Sequence, residues 1–117
     1  MGKGVELSGA TNDRRTERVR LESVYYFEAL DEKLFACTEE QVYEVKMRLY
    51  EAERDFERFH FVRCSKSVIL NLLLLEGISP ALNGRFFAHM KNGERLMISR
   101  QYAGKMKRIV MGGGINE

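Results

Sequence analysis

The residues best suited to chemistry in this sequence are cations and hydroxyls, and the first group is Arg63-x-Ser65-Lys66-Ser67. Two cations and two hydroxyls stand there at the start of an apolar run. Guanidinium and ammonium groups supply charge for a phosphate, and hydroxyls and free backbone N–H groups add hydrogen bonds. An open alternative is that Ser67 caps a short helix through Val68–Leu72, and a capped helix N-terminus is itself an anion site.

The second group is Ser99-Arg100, which opens a predicted helix. Ser99 is a favourable N-cap, so Arg100 falls in the first turn, where the helix dipole disfavours a cation by about 0.3–1 kcal/mol. A cation placed there needs another partner, and a phosphate or a base edge contacted in bidentate fashion would provide one. The open alternative is that Arg100 bends back to an acidic neighbour such as Glu94.

Residue types that catalyse reactions or hold metals do not cluster. His60 and His89 stand 29 positions apart, and neither has a cysteine or histidine at zinc-ligand spacing. Ser65 and Lys66 are adjacent, so in a strand they would point to opposite faces and would not form a catalytic pair. The glycines match neither a phosphate loop nor a dinucleotide fingerprint. We therefore expect no enzyme, no cofactor and no metal site.

Charge is divided unevenly along the 117 residues. The 19 basic and 17 acidic residues give a net charge of only +2. The first 60 residues nevertheless carry a net −4, and the 50 residues from Phe61 to Val110 carry a net +7. Such a cationic stretch is a candidate footprint for a polyanion, and a solvated surface is an equally open interpretation.

Length and hydropathy limit the classes of protein to which this sequence can belong. The length fits one domain, and a hydrophobic share of 44% is enough for a core. The longest apolar run, Val68–Leu75, has eight residues, whereas a membrane span needs about 20. No secretory signal is visible, and Cys37 and Cys64 form no C-x-x-C pair. These features predict a cytoplasmic protein without membrane contact.

The elements that position the two groups read as short strands with two helices. An edge strand near Val5–Leu7 precedes an antiparallel meander broken by a turn at Asp31-Glu32. The spacing of apolar residues predicts helices at about 46–56 and 101–110. Asn83-Gly84 and Asn92-Gly93 predict type I′ turns that join strands at about 76–82, 85–91 and 94–98. The meander strands are expected at Val19–Leu21, Val24–Phe27, Leu34–Cys37 and Val42–Val45.

Several separated motifs, in this order along the chain, resemble the LytTR DNA-binding domain family. The resemblance is carried by the core string from Phe61 to Leu72 and by the terminal Ile98-Ser99-Arg100-Gln101-Tyr102. It spans about Glu22 to Val110. The other matching segments are Val24–Glu28, Leu49–Glu53, Asn83-Gly84-Arg85 and Lys91–Glu94.

The resemblance implies a mainly β fold, with elongated antiparallel sheets and one or two short helices. It implies a bacterial transcription regulator that binds promoter repeats in double-stranded DNA through loops in successive major grooves, either alone or as a homodimer on DNA. Asn71 would fix the backbone. The DNA-binding residues carried over are Lys33, Arg63, Ser65, Lys66, Ser67, Ser99, Arg100, Tyr102 and Lys105.

Two features of the sequence depart from the family pattern, one in the polar triplet and one in the first turn. Many members have other residues at Ser65 or Lys66, so base preference does not carry over, and the Asp31-Glu32 turn is short and acidic. We expect an N-terminal arm or the remnant of a longer chain at 1–15, the DNA-binding domain at 16–111 and a flexible tail at 112–117. The alternative function is a protein-interaction or dimerisation module without affinity for nucleic acid.

Overall fold

The computed structural model describes residues 4–112, which form two antiparallel sheets and two α-helices. The helices are α1 (Leu49–Phe56) and α2 (Arg100–Val110). The strands are β1 (Glu6–Ala10), β2 (Thr16–Arg20), β3 (Val24–Leu30), β4 (Lys33–Thr38), β5 (Val42–Val45), β6 (Phe61–Arg63), β7 (Val68–Asn71), β8 (Leu75–Pro80), β9 (Phe86–Met90) and β10 (Arg95–Ile98). The larger sheet has the order β2-β1-β5-β4-β3-β7-β6, and the smaller has the order β10-β9-β8.

The first hydrophobic core lies between the larger sheet and α1. Phe27 on β3, Phe61 on β6 and Phe56 on α1 place their ring centroids 5.4–6.1 Å apart. Ala52 stands four residues before Phe56, so both side chains fall on one face of α1 and are buried in this core. The apolar residues whose spacing predicts this helix therefore do pack against a core.

Helix α1 begins at Leu49, three residues later than the predicted start at 46. Val45 is still paired in β5, and Arg48 keeps an extended backbone at the N-cap position. The carboxylate of Glu51 accepts a hydrogen bond from the Arg48 N–H at 2.8 Å, which satisfies one of the free donors at the helix start. Because Val45 pairs in β5, helix α1 begins at a later residue than predicted.

The second core lies on the opposite face of β3 and β7, under the smaller sheet and α2. Successive β7 residues alternate between the cores, because Ile69 enters the first and Leu70 the second. A bulge after Val24 breaks this alternation on β3, so Tyr25 and Tyr26 both pack on the second core. The central strands are thereby covered on both faces.

The Asn83-Gly84 turn has the predicted type I′ geometry. Asn83 has φ +62° and ψ +40°, and Gly84 has φ +78°. The N–H of Arg85 donates to the carbonyl of Leu82 at 3.3 Å and closes the turn. Both residue types tolerate the left-handed region, which the two central positions of a type I′ turn require.

The Asn92-Gly93 pair does not form a type I′ turn, because only Gly93 has a positive φ, at +89°. The N–H of Met90 donates to the carbonyl of Glu94, and the N–H of Gly93 donates back to Met90. Three residues therefore form the loop, with glycine in the left-handed bulge position that follows a type I turn. The predicted hairpin is present, and its predicted turn type is wrong.

Other differences from expectation concern the first strand and Ser67. The strand expected near Val5–Leu7 covers Glu6–Ala10 and lies between β2 and β5, so it is not at an edge. Val68–Asn71 is strand β7, so the alternative in which Ser67 caps a helix is wrong. Helix α2 agrees with the prediction to within one residue. Part of the expected arm, 1–3, and of the expected tail, 113–117, lies outside the described residues.

Candidate nucleic-acid interface

The β6–β7 loop (residues 64–67) carries Ser65, Lys66 and Ser67 at one end of the larger sheet. The N–H groups of Cys64 and Ser65 both donate to the carbonyl of Val68, at 2.9 and 3.3 Å. The N–H of Ser67 donates to Ser65 Oγ at 3.3 Å. Lys66 is exposed between two half-buried serines. The loop is therefore internally bonded and presents an ammonium group outward.

Arg63, at the end of β6, holds this loop in shape. Its Nε donates to the carbonyl of Ser65 and a terminal nitrogen donates to that of Lys66, each at 2.9 Å. The other terminal nitrogen is paired with Glu53 Oε1 at 2.5 Å. The side chain is only 20% exposed. All three nitrogens of the guanidinium thus bond to partners within the protein.

Arg100 opens α2 beside the same loop. The N–H of Ser99 donates to the carbonyl of Cys64 at 2.9 Å, which fixes the start of the helix against the loop. The Arg100 side chain is exposed, and its guanidinium makes no ion pair or hydrogen bond with any residue from 4 to 112. Glu94 instead accepts a hydrogen bond from the hydroxyl of Tyr26 at 2.8 Å. The alternative that Arg100 bends back to Glu94 is therefore wrong.

Ser99 occupies the N-cap position of α2, but its hydroxyl does not cap the helix. The first turn contains no acidic residue, and Arg100 is its first member. The initial N–H groups and the positive end of the helix dipole therefore face outward with no side-chain acceptor from the described chain. This combination of a cation and free donors is suited to an anionic partner.

The β3–β4 hairpin brings Lys33 to the same region. The N–H of Ala29 donates to the carbonyl of Ser67 at 2.8 Å, so the hairpin end lies against the β6–β7 loop. Leu30 pairs with Lys33, which leaves Asp31-Glu32 as a two-residue turn with φ values of +52° and +65°. Such values are uncommon for residues other than glycine and asparagine. They are required here because the type I′ twist matches that of the strands.

Tyr102 and Lys105 lie farther along α2. Tyr102 is half-buried against the second core, with the guanidinium carbon of Arg63 6.0 Å from its ring centroid. Lys105 is exposed and lines a shallow cavity with His60 and Arg108, on a different part of α2 from Arg100. Lys33, Lys66 and Arg100 thus border one loop, and Lys105 does not join them.

Asn71 has the backbone role that the resemblance implies. It is 1% exposed, its Nδ2 donates to the carbonyl of Val24 at 3.0 Å, and its Oδ1 accepts from the N–H of Leu73 at 3.0 Å. These bonds join β7 to β3 and shape the turn that follows. A buried amide satisfied in this way is not available to a ligand.

The two thiols are buried, and burial stabilises their protonated form. Burial raises the pKa of Cys64 to about 12 and that of Cys37 to about 11. A thiol is nucleophilic and binds metals as its thiolate, so neither residue is poised for such chemistry. Between residues 4 and 112, no three side chains of the metal-ligating types come together.

Three residues that shape this region were not identified from sequence. Ala29 joins the hairpin to the β6–β7 loop through its backbone, and backbone contacts leave no trace in residue type. Glu53 lies on α1, and nothing in the sequence pairs it with Arg63 ten residues away. The Asn83-Gly84 pair predicts a turn, but nothing in it indicates that Gly84 packs against Arg100.

Comparison with known proteins identifies the family. The sequence profile of the family described as "LytTr DNA-binding domain" matches residues 14–111, most of the chain. The chain belongs to the LytTR DNA-binding domain family. This LytTR domain is also similar to a solved structure, the LytTr DNA-binding domain of a putative methyl-accepting/DNA response regulator from Bacillus cereus. The two share 32% identity and a TM-score of 0.82, over 95% of this chain and 99% of the other.

Curated relatives of this LytTR domain include uncharacterized HTH-type transcriptional regulators of Staphylococcus aureus, from strains bovine RF122 / ET3-1 and NCTC 8325 / PS 47. Each is 30% identical over 95 residues, which are 81% of this chain and 64% of the relative. The LytTR domain thus spans less than two thirds of their length. Although their names include a helix-turn-helix, five strands separate α1 from α2 here.

The family is a DNA-binding domain family and not a class of enzymes. Its mainly β architecture agrees with the fold that the sequence motifs imply. Neither helix in the described part of this LytTR domain is long and apolar enough to cross a membrane.

Proposed function

We propose that this LytTR domain binds double-stranded DNA sequence-specifically for a bacterial transcription regulator, through loops that enter successive major grooves. One observation carries the proposal. Two backbone hydrogen bonds, Ala29 N–H to Ser67 and Ser99 N–H to Cys64, bring the β3–β4 hairpin, the β6–β7 loop and the start of α2 together. Each of these segments presents an exposed cation.

The exposed cations receive different roles in the proposal. Arg100 reads a base edge, because its guanidinium is free and can form two parallel hydrogen bonds to a guanine. Lys66 and Lys33 contact phosphates as point charges. The hydroxyls of Ser65, Ser67 and Ser99 add hydrogen bonds to the backbone of the duplex.

The remaining residues of the predicted set, Arg63, Tyr102 and Lys105, support these contacts. Arg63 fixes the β6–β7 loop from within the protein, because its three nitrogens already have partners. Tyr102 packs behind Arg63, and Lys105 adds long-range positive charge from its separate position on α2.

The biological setting is part of the same proposal. The DNA would be promoter repeats, with a homodimer assembling on them, and the domain would comprise residues 16–111. Free, buried cysteines at positions 37 and 64 fit a reducing cytoplasm.

Enrichment of bound duplexes from a random DNA pool tests the function directly. We expect one recurrent motif, and repeats with a fixed spacing if two domains bind together. Arg100→Ala should weaken binding to that motif about 10–100-fold, equivalent to about 1–3 kcal/mol, and relax selection at one base pair.

Arg18→Ala is the matched control, because Arg18 lies on β2 at the far edge of the sheet and is exposed. It should leave the enriched motif unchanged. A pool that yields no motif, together with a tight dimer in ultracentrifugation, would favour the alternative of a protein-interaction module.

A further inference from the structure

We propose that Gly84 is a positioning residue for Arg100. The lack of a side chain at Gly84 allows the aliphatic part of Arg100 to pack on the Asn83-Gly84 turn, and this contact directs the guanidinium outward. The inference rests on the proposed function, in which Arg100 contacts a base. The proposal adds to the recognition site a residue from the turn that joins β8 and β9 of the smaller sheet.

The contact between the two residues leaves no room for a Cβ at position 84 unless the Arg100 side chain moves. A Cβ built on Gly84 would lie 2.9 Å from Arg100 Cδ and 3.1 Å from Arg100 Cγ. Carbon atoms that are not bonded have their optimal separation at about 3.5–4.0 Å. A Cβ at this position would therefore displace the Arg100 side chain from its present path.

The turn offers Arg100 a well-fixed surface. The N–H of Arg85 donates to Leu82, and the N–H of Ala81 donates to Arg85 at 2.8 Å, so the turn is closed twice by backbone bonds. Gly84 also has a positive φ, which is a backbone conformation that residues with a Cβ adopt only at an energetic cost. The turn below the Arg100 stem is thus held by backbone hydrogen bonds and carries no side chain at position 84.

Packing on Gly84 is the contact that restrains Arg100 before DNA arrives. The guanidinium has no polar partner among residues 4–112, so no ion pair competes with the packing. A long side chain that is already ordered loses less rotamer freedom on binding than a free one. Gly84 therefore contributes to recognition without touching DNA.

Gly93 provides a matched control. It has φ +89°, against +78° for Gly84, and it also lies in a turn of the smaller sheet. A Cβ built on Gly93 would meet nothing within 4 Å. Gly93→Ala therefore imposes the same kind of backbone strain as Gly84→Ala and leaves Arg100 undisturbed.

The test compares Gly84→Ala, Gly84→Asn and Gly93→Ala. Asparagine tolerates the left-handed region, so Gly84→Asn keeps the new Cβ while relieving strain, which guards against loss of folding. Binding is measured on the enriched duplex and on the same duplex changed at the base pair that Arg100→Ala identifies. We expect both Gly84 variants to lose discrimination about tenfold, within the range of one base contact, and Gly93→Ala to stay within about twofold.

A double-mutant cycle separates action through Arg100 from a general effect on the turn. In an Arg100→Ala background, which lacks Cγ and Cδ, Gly84→Ala should cause no further loss of discrimination. Equal losses from Gly84→Ala and Gly93→Ala, or an undiminished effect of Gly84→Ala in the Arg100→Ala background, would overturn the proposal.

NMR relaxation of the Arg100 side chain in the free protein gives a readout that does not depend on DNA. Gly84→Asn should lower the order of the Arg100 methylene groups, and Gly93→Ala should not. A wild-type protein that prefers no duplex would contradict the proposed function, while unchanged Arg100 order in Gly84→Asn would contradict the role of Gly84 by itself.

Discussion

The hydroxyl of Tyr26 donates a hydrogen bond of 2.8 Å to Oε2 of Glu94, so β3 of the larger sheet is tied to the β9–β10 loop of the smaller sheet. Burial, followed by this bond, raises the pKa of Tyr26 above its ordinary value of 10.0. The hydroxyl therefore stays protonated and keeps donating throughout the physiological range. Glu94 thus bonds to Tyr26, and the Arg100 guanidinium makes no ion pair with residues 4–112.

Removal of this hydroxyl should weaken the association of the two sheets. We expect Tyr26→Phe to lower the free energy of unfolding by about 0.5–1.5 kcal/mol, the usual net value of one hydrogen bond. Urea unfolding followed by circular dichroism measures the change. Tyr50→Phe is the control, because Tyr50 is 63% exposed, and it should leave the midpoint unaltered. A Tyr26→Phe midpoint equal to that of the wild type would show that the bond adds nothing.

Arg63→Lys separates loop positioning from phosphate contact. Lysine keeps the charge but cannot donate to the carbonyls of Ser65 and Lys66 while also pairing with Glu53. We expect DNA affinity at fixed salt to fall about tenfold, in line with loss of about 1.4 kcal/mol, and the salt dependence of binding to stay the same. Titrations at four salt concentrations measure both. A wild-type affinity would remove Arg63 from the mechanism.

Lys66→Gln should instead change the salt dependence. Lys66 is exposed at the tip of the β6–β7 loop, where its ammonium group has no partner from the described chain. If it neutralises one phosphate, the slope of log K against log salt should become less steep by about 0.9. The same titrations serve as the measurement, with Arg18→Gln as the control, because Arg18 is also exposed but lies on β2 at the far edge of the larger sheet. An unchanged slope would exclude Lys66 from the interface.

Stability should decline in mildly alkaline solution because of the two buried thiols. The folded-state pKa values of Cys37 and Cys64, about 11 and about 12, exceed the ordinary value of 9.0. Above pH 9 the unfolded chain loses these protons while the folded chain retains them, so the stabilisation present below pH 9 is lost as the pH rises. We expect about 1 kcal/mol per thiol between pH 9 and pH 10.

Urea unfolding at pH 8, 9 and 10 measures this decline. Cys37→Ala and Cys64→Ala remove one titrating group each, so each variant should lose part of the pH dependence whatever its stability at pH 8. The window stops at pH 10 because burial also raises the pKa values of Tyr25, Tyr26 and Tyr43 above 10.0, so these residues add a similar decline once the unfolded chain loses their protons. A wild-type curve that is flat up to pH 10 would contradict the raised thiol pKa values.

Local residue chemistry explains which parts of the fold could be predicted from the sequence. Asn83-Gly84 adopts its predicted turn because both residues tolerate positive φ. The same dipeptide at Asn92-Gly93 behaves differently because the pairing of Met90 with Glu94 leaves three residues in the loop, and pairing is a property of both strands. Helix α1 starts late for a similar reason, since β5 retains Val45.

The candidate site also contains some residues that could be identified from sequence and others that could not. Lys66 stands out from sequence because it lies among hydroxyls at the start of an apolar run, and Arg100 because the helix dipole disfavours a cation there. The internal engagement of Arg63 depends on Glu53, and the packing of Arg100 depends on Gly84. These partners come from other elements, so their contacts arise only when the sheets and helices assemble.

The two backbone hydrogen bonds that join the hairpin, the loop and the helix make the framework of this region independent of its surface side chains. The donors are the N–H groups of Ala29 and Ser99, and the acceptors are the carbonyls of Ser67 and Cys64. No side chain takes part, so exchange of Lys33, Lys66 or Arg100 leaves the framework in place. Under the proposed function, substitutions at these three positions would therefore change the contacts with DNA without a compensating change in the fold.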